Sequence, residues 1–315
     1  MTKMNSERNL YFDTATLYYR AFFAVPESIV APDGTPSGAV RGFLDMVSSI
    51  IKQFPAKEVV FAWDDDWRPQ WRVDLVPSYK LHRVDEEVAD QPDATFEVIP
   101  DALSPQIGAI SLILDSIGLP RLGQQGHEAD DVLGALVAKS AGGCDVVTGD
   151  RDLFQLVSDR ESIRVISITK GVKNLELVDD AYLTNRYGIT GAQYADFSML
   201  RGDPSDGLPG VKGIGEKTAA KLINEHVDIN GLIAAARDDA TALAPAVRRN
   251  LLESQNYMKA AGKVVRLKTT ARLPKSLSLP KVVKDPESLA LLASAWGVEK
   301  HVARLLKTLD INSVT

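Results

Sequence analysis

The sequence predicts an α/β protein with a mainly parallel sheet, followed by a region that is almost wholly helical. Short apolar segments alternate with amphipathic segments between residues 9 and 168, which is typical of a parallel sheet covered by helices on both faces. Several of the apolar segments end in an aspartate. From about residue 179 onward the spacing of apolar residues is helical.

The first part of the sheet is predicted from two apolar runs and the segment between them. Strands are expected at 9–13 and 58–64, because each run is short, apolar and closed by an aspartate. Residues 40–54 carry apolar side chains at three- and four-residue steps, after Pro36 and before Pro55. This spacing predicts one helix that buries a single face.

The alternation continues along the chain. Helices are expected at 104–117 and 127–141, followed by a strand at 144–148, a short helix after Asp150 and another strand at 163–168. Parallel strands end at the same edge of a sheet, where open α/β folds build their sites. Residues that follow strand ends are therefore the first candidates for function.

Composition excludes several classes of protein. The 315 residues include one cysteine, Cys144, which excludes an internal disulfide framework and a cysteine-based zinc site. No apolar run reaches the roughly 18 residues of a membrane span, and the first residues lack the basic-then-apolar order of a signal peptide. We therefore expect a cytoplasmic protein without a membrane partner. Use of ATP or NAD is not expected, because no Walker motif or strand-positioned GxGxxG is present.

Charge is distributed unevenly along the chain. The net charge of -6 argues at first against a nucleic-acid partner. Residues 1–200, however, hold 18 Lys and Arg against 30 Asp and Glu, whereas residues 201–315 hold 18 against 12. Within 245–284, ten basic residues stand against Glu253 alone. Such a stretch is either a solvated surface or a binding site for a polyanion.

Nine carboxylates are predicted to converge on one edge of the sheet. Three follow predicted strands, three open the helix at 127–141, one lies just beyond the strand at 144–148, and two lie in a Gly-Asp-Pro-Ser-Asp segment. Each alone has an ordinary explanation as a helix cap or as a complement to a helix dipole. The set is Asp13, Asp64, Glu128, Asp130, Asp131, Asp150, Asp152, Asp203 and Asp206.

A carboxylate cluster of this size needs cations, because like charges repel one another in a partly desolvated site. Ligand sets made only of oxygen select Mg²⁺ or Mn²⁺ over zinc. Two such ions, about 3.5 to 4 Å apart, would activate a water and stabilise the leaving oxygen of a phosphodiester. The acids therefore predict a centre with two or more divalent ions.

The segment 208–223 predicts two helical pieces joined by a glycine turn. Gly213 and Gly215 allow the backbone to approach a phosphate, which the amides that open the next helix can bind. Positive charge is added by Lys212, Lys217 and Lys221. A plain turn can contain the same glycines. With the basic stretch behind it, the segment predicts a clamp on a duplex backbone that is independent of base sequence.

Three motifs carry a resemblance to a known family: GHEADD at 126–131, TGDRDLFQL at 148–156 and GDPSDGLPGVKGIGEKTAAKLI at 202–223. Together they resemble the bacterial 5'-nuclease family, which comprises flap endonucleases and the 5'-to-3' exonuclease domain of DNA polymerase I. The resemblance covers about residues 8–290. No polymerase domain follows, and a stand-alone member is expected.

The resemblance implies a division of the chain. A PIN-like catalytic domain with a mixed, largely parallel sheet is expected over 1–190. The charged segment 65–100, which has no clean periodicity, would form an inserted helical arch or clamp. A helix-three-turn-helix domain that grips duplex DNA is expected over 191–290, with K⁺ at its loop, and a helical tail over 291–315.

The resemblance places the family's metal ligands on the nine carboxylates. Three consecutive aspartates leave the second-strand ligand open between Asp64 and Asp65, and Asp64 is preferred because it directly follows the apolar strand. Thr14 stands where the family usually has glycine. The implied role of holding the scissile phosphate and the single 5' strand falls on Arg20, Arg72, Lys80 and Arg83. The aromatic residues available for base stacking, or simply for packing, are Tyr19, Trp67 and Tyr79.

The sequence thus predicts a divalent-metal-dependent 5' nuclease. It would remove 5' flaps, trim 5' ends of duplex DNA and remove RNA primers from RNA-DNA hybrids, acting as a monomer at the nucleoid in replication and repair. One alternative is a structure-specific DNA-binding protein without catalysis, which would not need the intact acidic set. Another is a PIN-type ribonuclease, which would share the sheet and some acids but not the glycine hairpin.

Overall fold

One sheet forms the centre of the molecule. The computed structural model describes residues 8–84, 97–238 and 240–313. Six strands lie within these ranges: β1 (Asn9–Asp13), β2 (Val59–Ala62), β3 (Arg121–Leu122), β4 (Cys144–Thr148), β5 (Ile163–Ser167) and β6 (Glu176–Val178). Their order is β3-β2-β1-β4-β5-β6, and only the β5–β6 pair is antiparallel. The prediction of a mainly parallel sheet is confirmed.

Helices cover the sheet and continue beyond it. Those in the sheet region are α1 (Thr14–Ala24), α2 (Gly38–Gln53), α3 (Gln70–Leu75), α4 (Ser104–Ile117), α5 (Ala129–Lys139) and α6 (Asp180–Tyr187). Those that follow are α7 (Gly191–Arg201), α8 (Glu216–His226), α9 (Ile229–Arg237), α10 (Pro245–Glu253), α11 (Gln255–Val264), α12 (Pro286–Ala295) and α13 (Glu299–Leu309). Three 3₁₀ turns lie at Leu81–Arg83, Asp152–Leu156 and Pro204–Asp206. None of the helices in the described ranges combines the length and the hydropathy that a bilayer span requires.

The strands bury side chains on both faces of the sheet. Leu10 and Phe12 join a core with α2 and α4, whereas Tyr11 joins a core with α5. This two-sided burial explains why the strand segments are apolar without alternation. Helices α7 to α11 share the core of Tyr11, while α12 and α13 pack against α4 and α2. The last two helices therefore cover one face of the sheet domain.

Three elements of the structure, one helix and two strands, were not predicted from the sequence. The helix expected at 40–54 is confirmed as α2, but a second helix, α1, precedes it and begins directly after Asp13, whose carboxylate accepts a hydrogen bond from the Thr16 amide. Strands β3 and β6 contain two and three residues, which is too short for a period to be recognised. Cys144 lies in β4 and is fully buried.

The segment predicted as an arch is described in part. It contains α3 and the turn Leu81–Arg83, and its residues 85–96 lie outside the described residues. Val84 and Glu97 form an antiparallel bridge, and the Val98 amide donates to the Arg83 carbonyl at 3.0 Å. Residues 84 and 97, which flank the segment 85–96, therefore lie next to each other.

Candidate active site

A cleft of about 570 Å³ lies at the carboxyl ends of β1, β2 and β4. Because these strands are parallel neighbours, the residues that follow them meet at one edge. Five of the nine predicted acids line this cleft: Asp13, Asp64, Glu128, Asp130 and Asp150. It is also lined by Arg20, Lys80, Arg83, Tyr19 and Trp67. Acidic and basic side chains thus face the same space.

Asp13 ends β1 and is only 4% exposed. One oxygen of its carboxylate accepts hydrogen bonds from the hydroxyls of Thr148, at 2.6 Å, and Thr16, at 3.0 Å. Burial, together with the charges of Asp64 and Asp150, raises the pKa of Asp13 to about 7 despite these hydrogen bonds. Asp13 is therefore held in place but lacks a compensating positive charge.

Asp64, and not Asp65, reaches the cleft. Its carboxylate accepts a hydrogen bond from the Ala129 amide at 2.8 Å, and desolvation raises its pKa. Asp65 is exposed, and its carboxylate lies against Gly123. Desolvation also raises the pKa of Asp130 well above its usual value, and the charges of Asp150 and Asp13 add to the effect.

A second group of acids adjoins the first through Asp150. Desolvation and the charges of Asp150, Asp206 and Asp203 raise the pKa of Asp152 well above its usual value. The pKa of Asp206 rises to about 6 through desolvation, partly opposed by the charge of Lys80. Asp203 caps the Pro204–Asp206 turn and pairs with Arg201 at 3.0 Å. Two adjacent acidic groups therefore lie at this edge of the sheet.

The donor chemistry of the two groups fits hard divalent cations. Every donor is a carboxylate oxygen, and oxygen donors favour Mg²⁺ and Mn²⁺. The raised pKa values of Asp13, Asp64, Asp130, Asp152 and Asp206 indicate that local positive charge does not balance the acids. In the part of the chain that the structure describes, no three Asp, Glu, His or Cys side chains form a ready-made ligand set for one ion. The acids match the ions in chemistry without being assembled around one point.

The predicted roles of Asp131 and Arg72 are contradicted. Asp131 is fully buried, and both of its oxygens accept hydrogen bonds from Arg72 at 2.8 Å. The amides of Lys268 and Glu128 donate to the same two oxygens. Four donors saturate the carboxylate, so that Asp131 has no lone pair left for a metal ion. Arg72 is buried beside it and does not face the cleft, which rules out the expected phosphate contact in this arrangement.

The remaining predicted cations lie at the cleft. The ammonium group of Lys80 forms an ion pair with Glu128, and the Lys80 backbone is left-handed, with φ of 49°. Arg83 lies 3.7 Å from the Asp206 carboxylate and donates to the Ser205 carbonyl. Arg20 donates to the Thr169 carbonyl at 2.9 Å. These three side chains can present positive charge to a phosphate in the cleft.

Aromatic residues around the cleft divide into two kinds. Tyr19 and Trp67 line the cleft and remain candidates for base stacking. Tyr79 is buried, and its hydroxyl donates to Glu128 at 2.8 Å, so that the packing alternative holds for this residue. His127 contacts Gln124 and Thr270 instead of the acids.

The glycine hairpin is exposed as a clamp would require. Gly213 has a left-handed φ of 75°, and Gly215 is the N-cap of α8 without a capping side chain. The three predicted lysines, Lys212, Lys217 and Lys221, are all exposed. The first amides of α8 are therefore open to an anion.

The basic stretch 245–284 is not one surface. Arg248 donates to the carbonyls of Ala236, Asp238 and Thr241, and Arg266 pairs with Asp196. Lys284 packs against Gly118, which precedes β3 and so lies at the opposite end of the sheet from the cleft. Only part of the stretch can contribute to a surface beside the hairpin.

Two features of the cleft were missed from the sequence. Glu97 lines it, and desolvation together with Asp64 raises its pKa. Thr148, the last residue of β4, orients Asp13 through its hydroxyl. The hydroxyl at a strand end was a usable signal, whereas nothing in the sequence around Glu97 distinguishes it from the other acids of its segment.

Comparison with known proteins agrees with this geometry. Residues 8–188 match the family model for the 5'-3' exonuclease N-terminal resolvase-like domain, and residues 189–287 match the model for the 5'-3' exonuclease C-terminal SAM fold. The chain belongs to the 5'-3' exonuclease family. Together the two models cover most of the chain, which confirms the family and the fold class inferred from the motifs.

Full-length relatives carry the same family name. A 5'-3' exonuclease of Streptomyces coelicolor is 50% identical over 301 residues, which are 95% of this chain and 99% of the relative. A 5'-3' exonuclease of Mycobacterium tuberculosis is 47% identical over 310 residues, 95% of this chain and 96% of the relative. DNA polymerase I of Mycobacterium tuberculosis is 32% identical over 305 residues, which make up 96% of this chain and 30% of the polymerase.

Solved structures share the exonuclease fold. The bacteriophage T5 D15 flap endonuclease, in a complex with DNA and metal ions, aligns with a TM-score of 0.62 at 18% identity, covering 96% of this chain and all of the phage chain. The catalytic core of Rad2 with a DNA substrate aligns with a TM-score of 0.60 at 15% identity, covering 96% of this chain and 92% of the Rad2 chain. At these identities the likeness concerns the fold alone.

Proposed function

We propose that this chain is a divalent-metal-dependent 5' nuclease that hydrolyses DNA phosphodiesters at 5' flaps and 5' ends. The observation that carries the proposal is the cleft, in which carboxylates of three neighbouring strand ends face Lys80 and Arg83. Carboxylates suit cations, and the basic side chains suit a phosphate. Family membership supports the same activity.

The acids would hold the ions as two adjacent groups. Asp13, Asp64, Glu128 and Asp130 belong to the first group, and Asp152, Asp203 and Asp206 to the second, with Asp150 between them. Bound Mg²⁺ or Mn²⁺ would lower the pKa of water and offset negative charge on the phosphate.

The other residues of the cleft orient the acids or bind the DNA. Thr148 and Thr16 fix the Asp13 carboxylate, and the Ala129 amide fixes Asp64. Lys80 and Arg83 bind the non-bridging oxygens of the scissile phosphate, since both are charged and lie beside the acids. Tyr19 and Trp67 can stack on bases of the single 5' strand.

Duplex DNA is held outside the cleft by the glycine hairpin. The amides that open α8 and three exposed lysines contact backbone phosphates and no base edges. Binding is accordingly independent of sequence and weakened by salt. K⁺ at this loop, action on RNA-DNA hybrids, a monomeric state and location at the nucleoid are further parts of the proposal, inferred from the resemblance.

Cleavage of a 5'-flapped duplex tests the proposal. An end-labelled flap should be cut with Mg²⁺ or Mn²⁺ and left intact in EDTA. Asp150→Ala should lose turnover by orders of magnitude and still bind duplex, whereas Asp115→Ala, which removes a half-exposed acid of α4 paired with Arg121, should retain activity. A folded, metal-supplied sample that leaves the flap intact would mean a binding protein, and preferential cutting of single-stranded RNA would mean a ribonuclease.

A further inference from the structure

Glu128 is the most constrained acid of the cleft. It is 2% exposed, and its Oε1 atom accepts hydrogen bonds from the Tyr79 hydroxyl at 2.8 Å and from Arg72 Nη1 at 3.0 Å. These two donors use both lone pairs of Oε1. The Oε2 atom is directed to Lys80 at the cleft. Glu128 can therefore offer a cation only Oε2.

Arg72 is itself fixed on every side. Its Nη1 and Nη2 atoms each donate to Asp131 at 2.8 Å, and its Nε donates to the Val264 carbonyl at 3.2 Å. The guanidinium also stacks on the Trp71 ring, 4.5 Å from its centroid. Such a planar fork, bound at each nitrogen, has one orientation. The hydrogen bond from Arg72 therefore restrains the position of the Oε1 atom of Glu128.

The same contacts reach the helical domain. Val264 is the last residue of α11, and the Lys268 amide donates to Asp131 at 2.8 Å. The Lys268 ammonium group lies 3.4 Å from the centroid of the Trp71 ring, on which Arg72 also stacks. The placement of Glu128 therefore depends on how the end of α11 docks against the sheet domain.

We propose that Arg72 is a positioning residue for Glu128. Through its bonds to Asp131 and Val264 it holds the Glu128 carboxylate so that only Oε2 faces the cation site of the cleft. This inference rests on the proposed function, in which Glu128 holds a divalent ion. It replaces the phosphate-binding role that the sequence suggested, and it predicts that Arg72 governs metal affinity and leaves DNA affinity unchanged.

Titration with Mn²⁺, followed by electron paramagnetic resonance of the free ion, tests the proposal on the full chain. Arg72→Lys keeps the positive charge, but an ammonium group cannot reproduce the bidentate bond to Asp131 together with the bond to Glu128. The Mn²⁺ affinity should fall about 10- to 100-fold, as for other partners of ligating groups. Affinity for a flapped duplex in EDTA should stay within twofold of the unsubstituted chain.

Arg164→Lys is the matched control. Arg164 makes a bidentate bond to Asp145, at 2.8 and 3.0 Å, at the amino ends of β4 and β5. It is the same type of ion pair, located on the side of the sheet away from the cleft, and its loss should leave Mn²⁺ affinity unchanged. An equal loss of affinity in both variants would mean a general effect on stability and would overturn the proposal.

Glu128→Gln separates this inference from the proposed function. If the unsubstituted chain binds Mn²⁺, Glu128→Gln weakens binding and Arg72→Lys does not, the positioning role is wrong and the metal centre stands. If the unsubstituted chain binds no Mn²⁺, the metal centre is wrong, and if Glu128→Gln alone has no effect, Glu128 is not a ligand of it; the positioning role falls in both cases. Should Arg72→Lys not fold, Asp131→Asn removes one of the two oxygens that fix Arg72 without changing the Glu128 side chain, and unchanged Mn²⁺ affinity in that variant would refute the proposal.

Discussion

Replacing Asp13 by asparagine should stabilise the protein in the absence of metal. The pKa of Asp13 is raised from 3.8 to about 7 by burial and by neighbouring acids. Because the folded state binds this proton more tightly than the unfolded state, the stabilisation is fully present below about pH 4. It is lost as the pH rises through about 7. In EDTA, the free energy of unfolding should therefore decrease across this window.

The size of the effect follows from the shift in pKa. A difference of about 3 pH units at about 1.4 kcal/mol each gives a loss of about 4 kcal/mol from Asp13 between pH 4 and pH 8. Asp206, with its pKa raised to about 6, titrates in the same window, and both acids interact with Asp150, so that their losses do not simply add. The substituted asparagine would be neutral throughout and would keep an oxygen for the Thr148 hydroxyl. The free energy of unfolding of Asp13→Asn should exceed that of the unsubstituted chain by up to about 4 kcal/mol at pH 8, and the two values should match near pH 4.

Urea unfolding followed by circular dichroism, in EDTA at a series of pH values, measures this difference. Mg²⁺ should stabilise the unsubstituted chain more at pH 8 than at pH 5, because the acids it neutralises are then ionised. Asp115→Asn, at a half-exposed ion pair, should change stability by less than about 1 kcal/mol with no added dependence on pH. Parallel pH profiles for Asp13→Asn and the unsubstituted chain would refute the reasoning.

Three further substitutions give separate outcomes. Lys80→Met should lower kcat on a flapped duplex about 10²- to 10³-fold, as measured by single-turnover kinetics. Its affinity for duplex, measured by a binding titration, should stay within a few-fold of the unsubstituted chain. An unchanged kcat would exclude a contact between Lys80 and the phosphate. Gly213→Ala should cost about 1 to 2 kcal/mol of stability through its left-handed backbone and weaken duplex binding, which fluorescence anisotropy detects. Gly207→Ala should cost more in urea unfolding, because its Cβ would lie 2.0 Å from the Ser78 carbonyl oxygen, and equal costs at the two glycines would contradict this reasoning.

Strands that are buried on both faces were accessible from the sequence. Leu10 to Phe12 and Val59 to Ala62 are apolar at every position because each face of the sheet has its own core. Helix α1 was hidden because Asp13 both ends β1 and caps the helix that begins at the next residue, which leaves no loop to separate them. The two shortest strands depend on neighbours far away in the chain and carry no local signal.

The acids of the cleft were found because they follow strands or open helices, which are local features. The pairing of Arg72 with Asp131, in contrast, joins residues 59 positions apart, and Arg72 reaches the Val264 carbonyl 192 positions away. The resemblance to the family implied a phosphate contact for Arg72, and the position of Asp131 at the start of a predicted helix suggested a metal contact for that acid. The hydrogen bonds between Arg72 and Asp131 depend on how α3, α5 and the end of α11 pack together. The spacing of residues along the sequence does not encode this packing.

The bridge between Val84 and Glu97 has a consequence for engineering. Because Val84 and Glu97 are paired with each other, a change in the number of residues between them leaves these two positions side by side. Lys80 and Arg83 precede the bridge and keep their contacts with the 205–206 turn. Replacing the residues between 84 and 97 should thus leave Lys80 and Arg83 in register with the acids.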